Sequence, residues 1–368
     1  MRLGYFTMPI HPPERAYAAT LAEDREAILL ADRLGFAEAY VGEHVTDAAE
    51  TITDSVVFLA SLVHDTERIT LGTGTVNLTN SHPAALAAKV AMLDTLLEGR
   101  FILGVSPGGL ASDWEMFGTL SGVDRRARAQ ECIDHVIALW TGEAPYELAG
   151  EHWTLSTART LMPDLGQGVM VRPYQRPHPP IVVTAAEPSS KSVDNAARRG
   201  WEVISANFLL PQWVRTHWDT YRAACEETGR PADPQSWRVA RTIFVADDDK
   251  TALSYARTAK GSPYEFYWSQ MHYKMKRGKR LYVFKGHKDQ PDEEITLDYV
   301  LDNCVIHGSV NKVVDQLLAL REEIGDFGEI VYAGMDWVDP ALAKRSMQLM
   351  AEQVMPRVNA VVGKSAAA

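Results

Sequence analysis

An eightfold β/α barrel is the fold class that this sequence predicts, and three observations carry the expectation. Eight short apolar runs recur along the 368 residues, with helix-length patterns between them. The runs are apolar on both parities, as strands buried on both faces should be. The fingerprint of an open dinucleotide-binding sheet, Gly-x-Gly-x-x-Gly after the first strand, is absent: that position reads Thr7-Met8-Pro9-Ile10-His11-Pro12-Pro13. Periodicity does not reveal closure, so an open doubly wound sheet stays as the alternative.

In chain order the expected strands are Leu3–Phe6, Ala37–Val41, Ile69–Val76, Phe101–Val105, Ile181–Ala185, Glu202–Ala206, Arg238–Ala246 and Glu329–Ala333. Helical patterns fall at Leu21–Leu34, Ser55–Val63, Pro83–Leu97 and Arg126–Leu139. Two spacings break the alternation. Residues 144–180 are rich in Pro, Gly and aromatics and read as an insertion that re-enters the barrel through Arg176-Pro177-His178-Pro179-Pro180. Residues 261–309 carry Tyr264, Phe266, Tyr267, Trp268, His272 and Tyr273, then a basic run from Lys274 to Arg280. So many aromatics favour an ordered lid over a disordered loop. Residues 1–360 are thus expected to form a single barrel domain, with 361–368 as a flexible tail.

A net charge of −11 and a pI near 5.5 argue against nucleic acid, whose phosphates need a basic face. Cys132, Cys225 and Cys304 are scattered and without metal spacing, so they read as reduced structural thiols. No His-x-His or His-Glu-x-x-His occurs, and no metal site is expected. No Gly-x-Ser-x-Gly elbow or Walker-type loop is present. With no apolar run of about twenty residues, a cytoplasmic protein without membrane attachment is the expectation.

Several segments, in order, resemble the bacterial luciferase-like, flavin-dependent monooxygenase family. Leu3-Gly4-Tyr5-Phe6 is similar to its first strand and Gly42-Glu43-His44 to its second-strand end. Thr73-Gly74-Thr75-Val76-Asn77, then Ser81-His82-Pro83, resemble the third-strand end and the helix after it. Glu98-Gly99-Arg100-Phe101, Phe284-Lys285-Gly286-His287-Lys288-Asp289, Gly334-Met335-Asp336 and Val354-Met355-Pro356 continue the likeness. The loop Ser106–Asp113 resembles the limonene-type monooxygenase branch. The resemblance implies a two-component enzyme that takes reduced FMN from a separate NAD(P)H-dependent flavin reductase. With O2 it would oxygenate a small apolar organic molecule of the terpene, cyclic ketone or aldehyde class. A homodimer is also implied. The alternatives are a deazaflavin-dependent oxidoreductase of the same superfamily and a non-enzymatic flavin-binding protein.

At the carboxyl end of a barrel strand, His44 stands where such folds build active sites, and its near-neutral pKa suits proton exchange. The competing reading is a core histidine. Glu43 is expected to point behind the strand into an ion pair. Asp336, at the last strand end, would either orient His44 or a substrate, or cap the helix near Asp339-Pro340. Thr75, Asn77 and Ser106 are the expected neighbours of the flavin ring, Asn77 offering both donor and acceptor. Ser189, Ser190 and Ser192, with Lys191, open a helix after the fifth strand, where free N–H groups suit a phosphate. Ordinary capping by Ser189 is the alternative there. Luciferase-type chains carry an arginine after the fourth strand for this phosphate, whereas this chain has Pro107, so Gly108 and Gly109 are the expected backbone donors.

Overall fold

The computed structural model describes residues Met1–Ser365. Its main sheet contains all the expected barrel strands: β1 Arg2–Thr7, β2 Glu38–Val41, β3 Thr70–Thr73, β4 Phe101–Ser106, β5 Ile181–Ala185, β6 Glu202–Ser205, β7 Trp237–Ala246 and β8 Glu329–Ala333. They follow one another from β1 to β8, and pairings of β7 with β6 and of β8 with β1 close the circle. The fold is therefore a closed parallel (β/α)8 barrel, not the open sheet. Among the described residues no helix is long and apolar enough to cross a membrane.

Packing contacts fall into two units, Met1–Ala39 with the chain from Val183 onward, and Tyr40–Val182. In the first, Tyr5 of β1 lies opposite Tyr332 of β8 and stacks on it, ring centroids 6.1 Å apart. The amino-terminal ends of its strands hold buried charge. Arg238 donates to Glu38 and Glu202, and Arg2 donates to Glu329. Burial pushes the Glu329 carboxyl up to about 7, beside the like charge of Glu38. A Cβ on Gly4 would lie 2.1 Å from Glu329 Oε1, so a larger residue there would displace this carboxylate. Removing one member of such a buried pair costs about 3–5 kcal/mol. In barrels this end serves stability, not catalysis.

The 261–309 segment folds as the helix Pro263–Arg277, started by the Ser262 hydroxyl, two short 3-10 turns and the helix Leu297–Cys304. Tyr264, Tyr267 and Trp268 are buried while Tyr273 is 59% exposed, so most of the aromatic stripe packs inward. The basic run falls on the last helical turn and beyond, where cations favour the helix dipole. One boundary needs correction: Val305–Ser309 is a parallel strand running beside Thr242–Ala246 of β7. It takes the edge that β6 covers only at Trp237–Val239. A five-residue strand inside a long aromatic segment carries too little periodicity to announce itself.

In the second unit the helix Pro83–Leu96 starts on a proline and the helix Arg125–Thr141 is capped by Asp124. Residues 144–180 include a small antiparallel hairpin, Glu147–Ala149 with Thr154–Ser156. Glu131 accepts the N–H groups of Glu151, His152 and Trp153 and so anchors the hairpin tip. At the far end, Gln175 donates to Asp94 and to the carbonyl of Phe101 at the start of β4. The final helix, Met355–Ser365, covers the first part of the expected tail, since extending a formed helix costs far less than starting one. Positions 366–368 of that tail lie outside the described residues. Cys132, Cys225 and Cys304 are free and buried.

Candidate active site

His44 leaves the carboxyl end of β2, and its backbone N–H donates to Ile52, 3.0 Å away. Its Nδ1 lies 3.1 Å from Asp113 Oδ2, in the helix Ala111–Met116. An ionised carboxylate only accepts, so Nδ1 carries a proton and Nε2 is the nitrogen turned away from Asp113. Glu50 stands 4.0 Å from that Nε2. Asp113 also accepts the Thr46 N–H at 2.9 Å and hydroxyl at 2.6 Å. Burial opposes ionisation of Asp113, but the bonds from His44 and Thr46 outweigh it and hold the carboxyl below its ordinary range. The imidazole is thus fixed in ring orientation and tautomer, the arrangement a proton-transfer group needs. Asp113 closes the Ser106–Asp113 loop, but nothing in the sequence pairs it with His44.

Among the described residues Glu43 forms no ion pair, contrary to expectation. Its carboxylate accepts the Ser55 N–H and hydroxyl and the Asn77 N–H, all within 2.9 Å. Burial pushes its carboxyl above the ordinary range against those three bonds. Asn77 in turn donates its side-chain N–H to the Glu43 carbonyl at 3.0 Å. One of its two amide N–H donors is therefore committed to the protein. Thr75, which follows a cis Gly74–Thr75 peptide, shares a 2.6 Å hydroxyl bond with Ser106. The Ser106 hydroxyl also accepts the Gly108 N–H at 3.1 Å. Thr75, Asn77, Ser106 and Gly108 thus form a connected polar strip on the ends of β3 and β4. At Gly109 the space beside the backbone is open, and a Cβ there would meet nothing within 4 Å. The Pro107 carbonyl accepts the Thr79 hydroxyl.

The serine cluster belongs to the other unit. Ser190, not Ser189, is the residue before the helix Lys191–Arg199, and its side chain makes no capping bond. Its hydroxyl instead meets that of Ser192 at 2.7 Å. Ser189 is exposed, adopts φ of +47° and donates its N–H to Thr216. The outcome is a helix start with uncapped N–H groups flanked by two hydroxyls, chemistry that fits a phosphate.

Asp336 corrects the expectation for it. Its carboxylate accepts from His11 Nδ1 and from Arg15, and Asp339, not Asp336, caps the helix Pro340–Leu349. His11 Nε2 reaches Asp24 at 3.3 Å, and Arg15 also pairs with Glu23. Burial works against the charged imidazole, but Asp24 and Asp336 outweigh it and raise His11 to about 9. His11, Glu23 and Asp336 are near enough to one another to hold a cation. Arg15 already brings positive charge to both carboxylates, which disfavours a metal. The cluster ties the β8 end to the helix Tyr17–Leu34. His11 had no sequence signal beyond its place after β1.

A family model described as luciferase-like monooxygenase matches residues 1–326. The chain is 29% identical to 4-hydroxyprotoasukamycin monooxygenase of Streptomyces nodosus subsp. asukaensis, over 97% of this chain and 92% of that protein. It is 28% identical to limonene 1,2-monooxygenase of Rhodococcus erythropolis, over 98% of this chain and 87% of that protein. Among solved structures, the oxygenating constituent of 3,6-diketocamphane monooxygenase from Pseudomonas putida, in complex with FMN, superposes with a TM-score of 0.87 at 24% identity, covering 97% of this chain and 98% of that one. By the extent of the family match, this chain belongs to the luciferase-like monooxygenases.

Proposed function

We propose that this chain is the oxygenase component of a two-component, flavin-dependent monooxygenase acting on a small apolar organic substrate. The observation that carries the reading is His44, held through Nδ1 by Asp113 at the carboxyl end of β2. Bound reduced FMN, delivered by a separate NAD(P)H-dependent reductase, would supply the electrons that activate O2. His44 Nε2 takes up or returns the proton that oxygen transfer requires, while Asp113 stabilises the charged imidazole. Ser190, Ser192 and the N–H groups that follow them hold the flavin phosphate; the Gly108 N–H is already engaged by the Ser106 hydroxyl. Thr75, Ser106 and the Asn77 acceptor face the polar edge of the ring.

Within residues 1–360, the 261–309 segment acts as a lid that limits water, which would otherwise divert reducing equivalents into peroxide. A homodimer is part of the same reading. Val57, Met92 and Leu96 leave apolar side chains 66%, 61% and 49% exposed on neighbouring helices of one unit, a surface suited to a second copy. A cytoplasmic location agrees with dependence on a reductase and NAD(P)H.

The test is turnover of the purified chain with FMN, NAD(P)H and a flavin reductase against terpenes, cyclic ketones and aldehydes. Substrate-dependent oxygenated product is expected. Fluorescence titration with FMN and with a deazaflavin separates the two cofactor classes, and tighter deazaflavin binding with no oxygenation would overturn the proposal.

A further inference from the structure

We propose that Glu50 is a second positioning carboxylate for His44, and that with Asp113 it keeps the imidazole protonated on both nitrogens at neutral pH, so that Nε2 meets the reaction as a proton donor. The inference deepens the monooxygenase reading above, on which the use of that proton rests. After β2 the chain bends back over the histidine. The His44 N–H donates to the Ile52 carbonyl at 3.0 Å, and between them Asp47 accepts the Ala49 N–H at 2.9 Å and closes a turn. Thr46 is tied to Asp113 through its N–H, also at 2.9 Å. Asp54 then starts the helix Ser55–Ala60 by accepting the Val57 N–H. With the loop held at both ends, Glu50 comes to rest with Oε2 4.0 Å from His44 Nε2.

That separation is too long for a hydrogen bond but short for two charges. Asp113, 3.1 Å from Nδ1, and Glu50 therefore face the ring at its two nitrogens. Side-chain exposure is 15% for His44, 7% for Glu50 and 2% for Asp113, so solvent screens the three groups weakly. Two carboxylates this far out of water repel each other unless a cation stands between them, and the imidazolium is that cation. Glu43, next to His44 in the chain, is outside this balance because its carboxylate turns to Ser55 and Asn77. His11 repeats the arrangement within the same chain: against the cost of burial, Asp24 on Nε2 and Asp336 on Nδ1 raise it to about 9. Asp113 fixes which nitrogen of His44 keeps its proton. The second carboxylate is what turns an oriented base into an oriented acid. When Nε2 gives its proton to an oxygen that gains charge, the ring is left neutral with its Nδ1 proton still on the Asp113 side.

Glu50→Gln keeps the shape and removes the charge. Nitrogen NMR of the full chain, labelled at the histidine ring nitrogens and assigned with His44→Asn, reads the protonation of His44 across pH. Wild type should carry protons on both nitrogens at neutral pH. In Glu50→Gln the midpoint of the titration should fall by about 1–3 pH units, the effect of one opposite charge at about 4–6 Å, and Glu50→Asp should keep part of it. The pH above which oxygenated product declines should move down with the midpoint, because the donor is lost as the ring deprotonates. A neutral His44 in wild type, or an unmoved midpoint in Glu50→Gln, would overturn the inference. If Glu50→Gln does not fold, Glu50→Asp decides: withdrawing the carboxylate by one methylene should lower the midpoint, and a midpoint equal to wild type overturns the idea. Wild type that forms no oxygenated product sinks the monooxygenase reading itself, whereas product together with an unmoved midpoint sinks only this inference.

Discussion

Replacing Asp113 with asparagine tests the reasoning about His44 with minimal change of shape. The asparagine carbonyl can keep the bonds from the Thr46 N–H and hydroxyl, now made to Asp113 Oδ1 at 2.9 and 2.6 Å. Its NH2 then faces His44 Nδ1, where the wild-type acceptor lies at 3.1 Å. A donor at that position forces Nδ1 to accept and moves the imidazole proton to Nε2, the tautomer that cannot act as base there. The variant also loses the negative charge that stabilises the imidazolium. Proton-transfer groups contribute roughly 10²–10⁴-fold in rate, and substrate oxygenation should fall by that order. Stability should fall by about 1.5–3 kcal/mol, the loss of one charge-assisted bond. The assay is product formed per NAD(P)H consumed, with peroxide measured in parallel and the melting temperature as control. Product yield should fall while peroxide rises. Wild-type product yield from Asp113→Asn, or activity lost only in proportion to melting temperature, would refute the proton-transfer role.

The Ser190→Ala/Ser192→Ala double variant should bind FMN at least about tenfold more weakly, since a hydrogen bond to a charged group contributes about 1.5–3 kcal/mol; unchanged affinity by fluorescence quenching would put the phosphate elsewhere. His11 titrates at about 9 in the folded chain against about 6.5 unfolded, so its contribution is complete below about pH 6.5 and is lost as pH rises through 9. Urea midpoints should therefore fall across that window for wild type and lie flatter for His11→Asn; equal slopes would contradict the pairing with Asp24 and Asp336. Limited proteolysis should cut first at the exposed Lys276-Arg277-Gly278-Lys279 turn, and FMN should slow the cut; equal rates with and without FMN would make 261–309 a plain surface segment.

Barrel strands and their order were legible in the sequence because burial on both faces imprints continuous apolar runs, a local property that survives without any knowledge of neighbours. The helix start at Pro83 is local for the same reason. The placement of His44 at a strand end was legible too, since β/α alternation alone assigns it to the carboxyl face. Its partner was not. Asp113 lies 69 residues away, and two aspartates near strand ends could have served, Asp113 and Asp336. Which of them meets the imidazole depends on where each loop projects, and in the folded chain Asp336 is taken by His11, 325 residues distant. Glu43 differs from expectation for a related reason: an exposed strand end admits an ion pair, but a buried one with backbone N–H groups nearby is satisfied by those instead. The Val305–Ser309 strand likewise exists only because β7 outruns β6 and leaves an edge to be covered, a matter of relative strand length that no local pattern records. Sequence by itself determined the architecture and the face on which chemistry is placed, because both follow from local burial patterns. Tertiary structure alone decided which carboxylate orients which histidine, because hydrogen bonds between distant side chains depend on three-dimensional proximity and on which competing partners are already engaged.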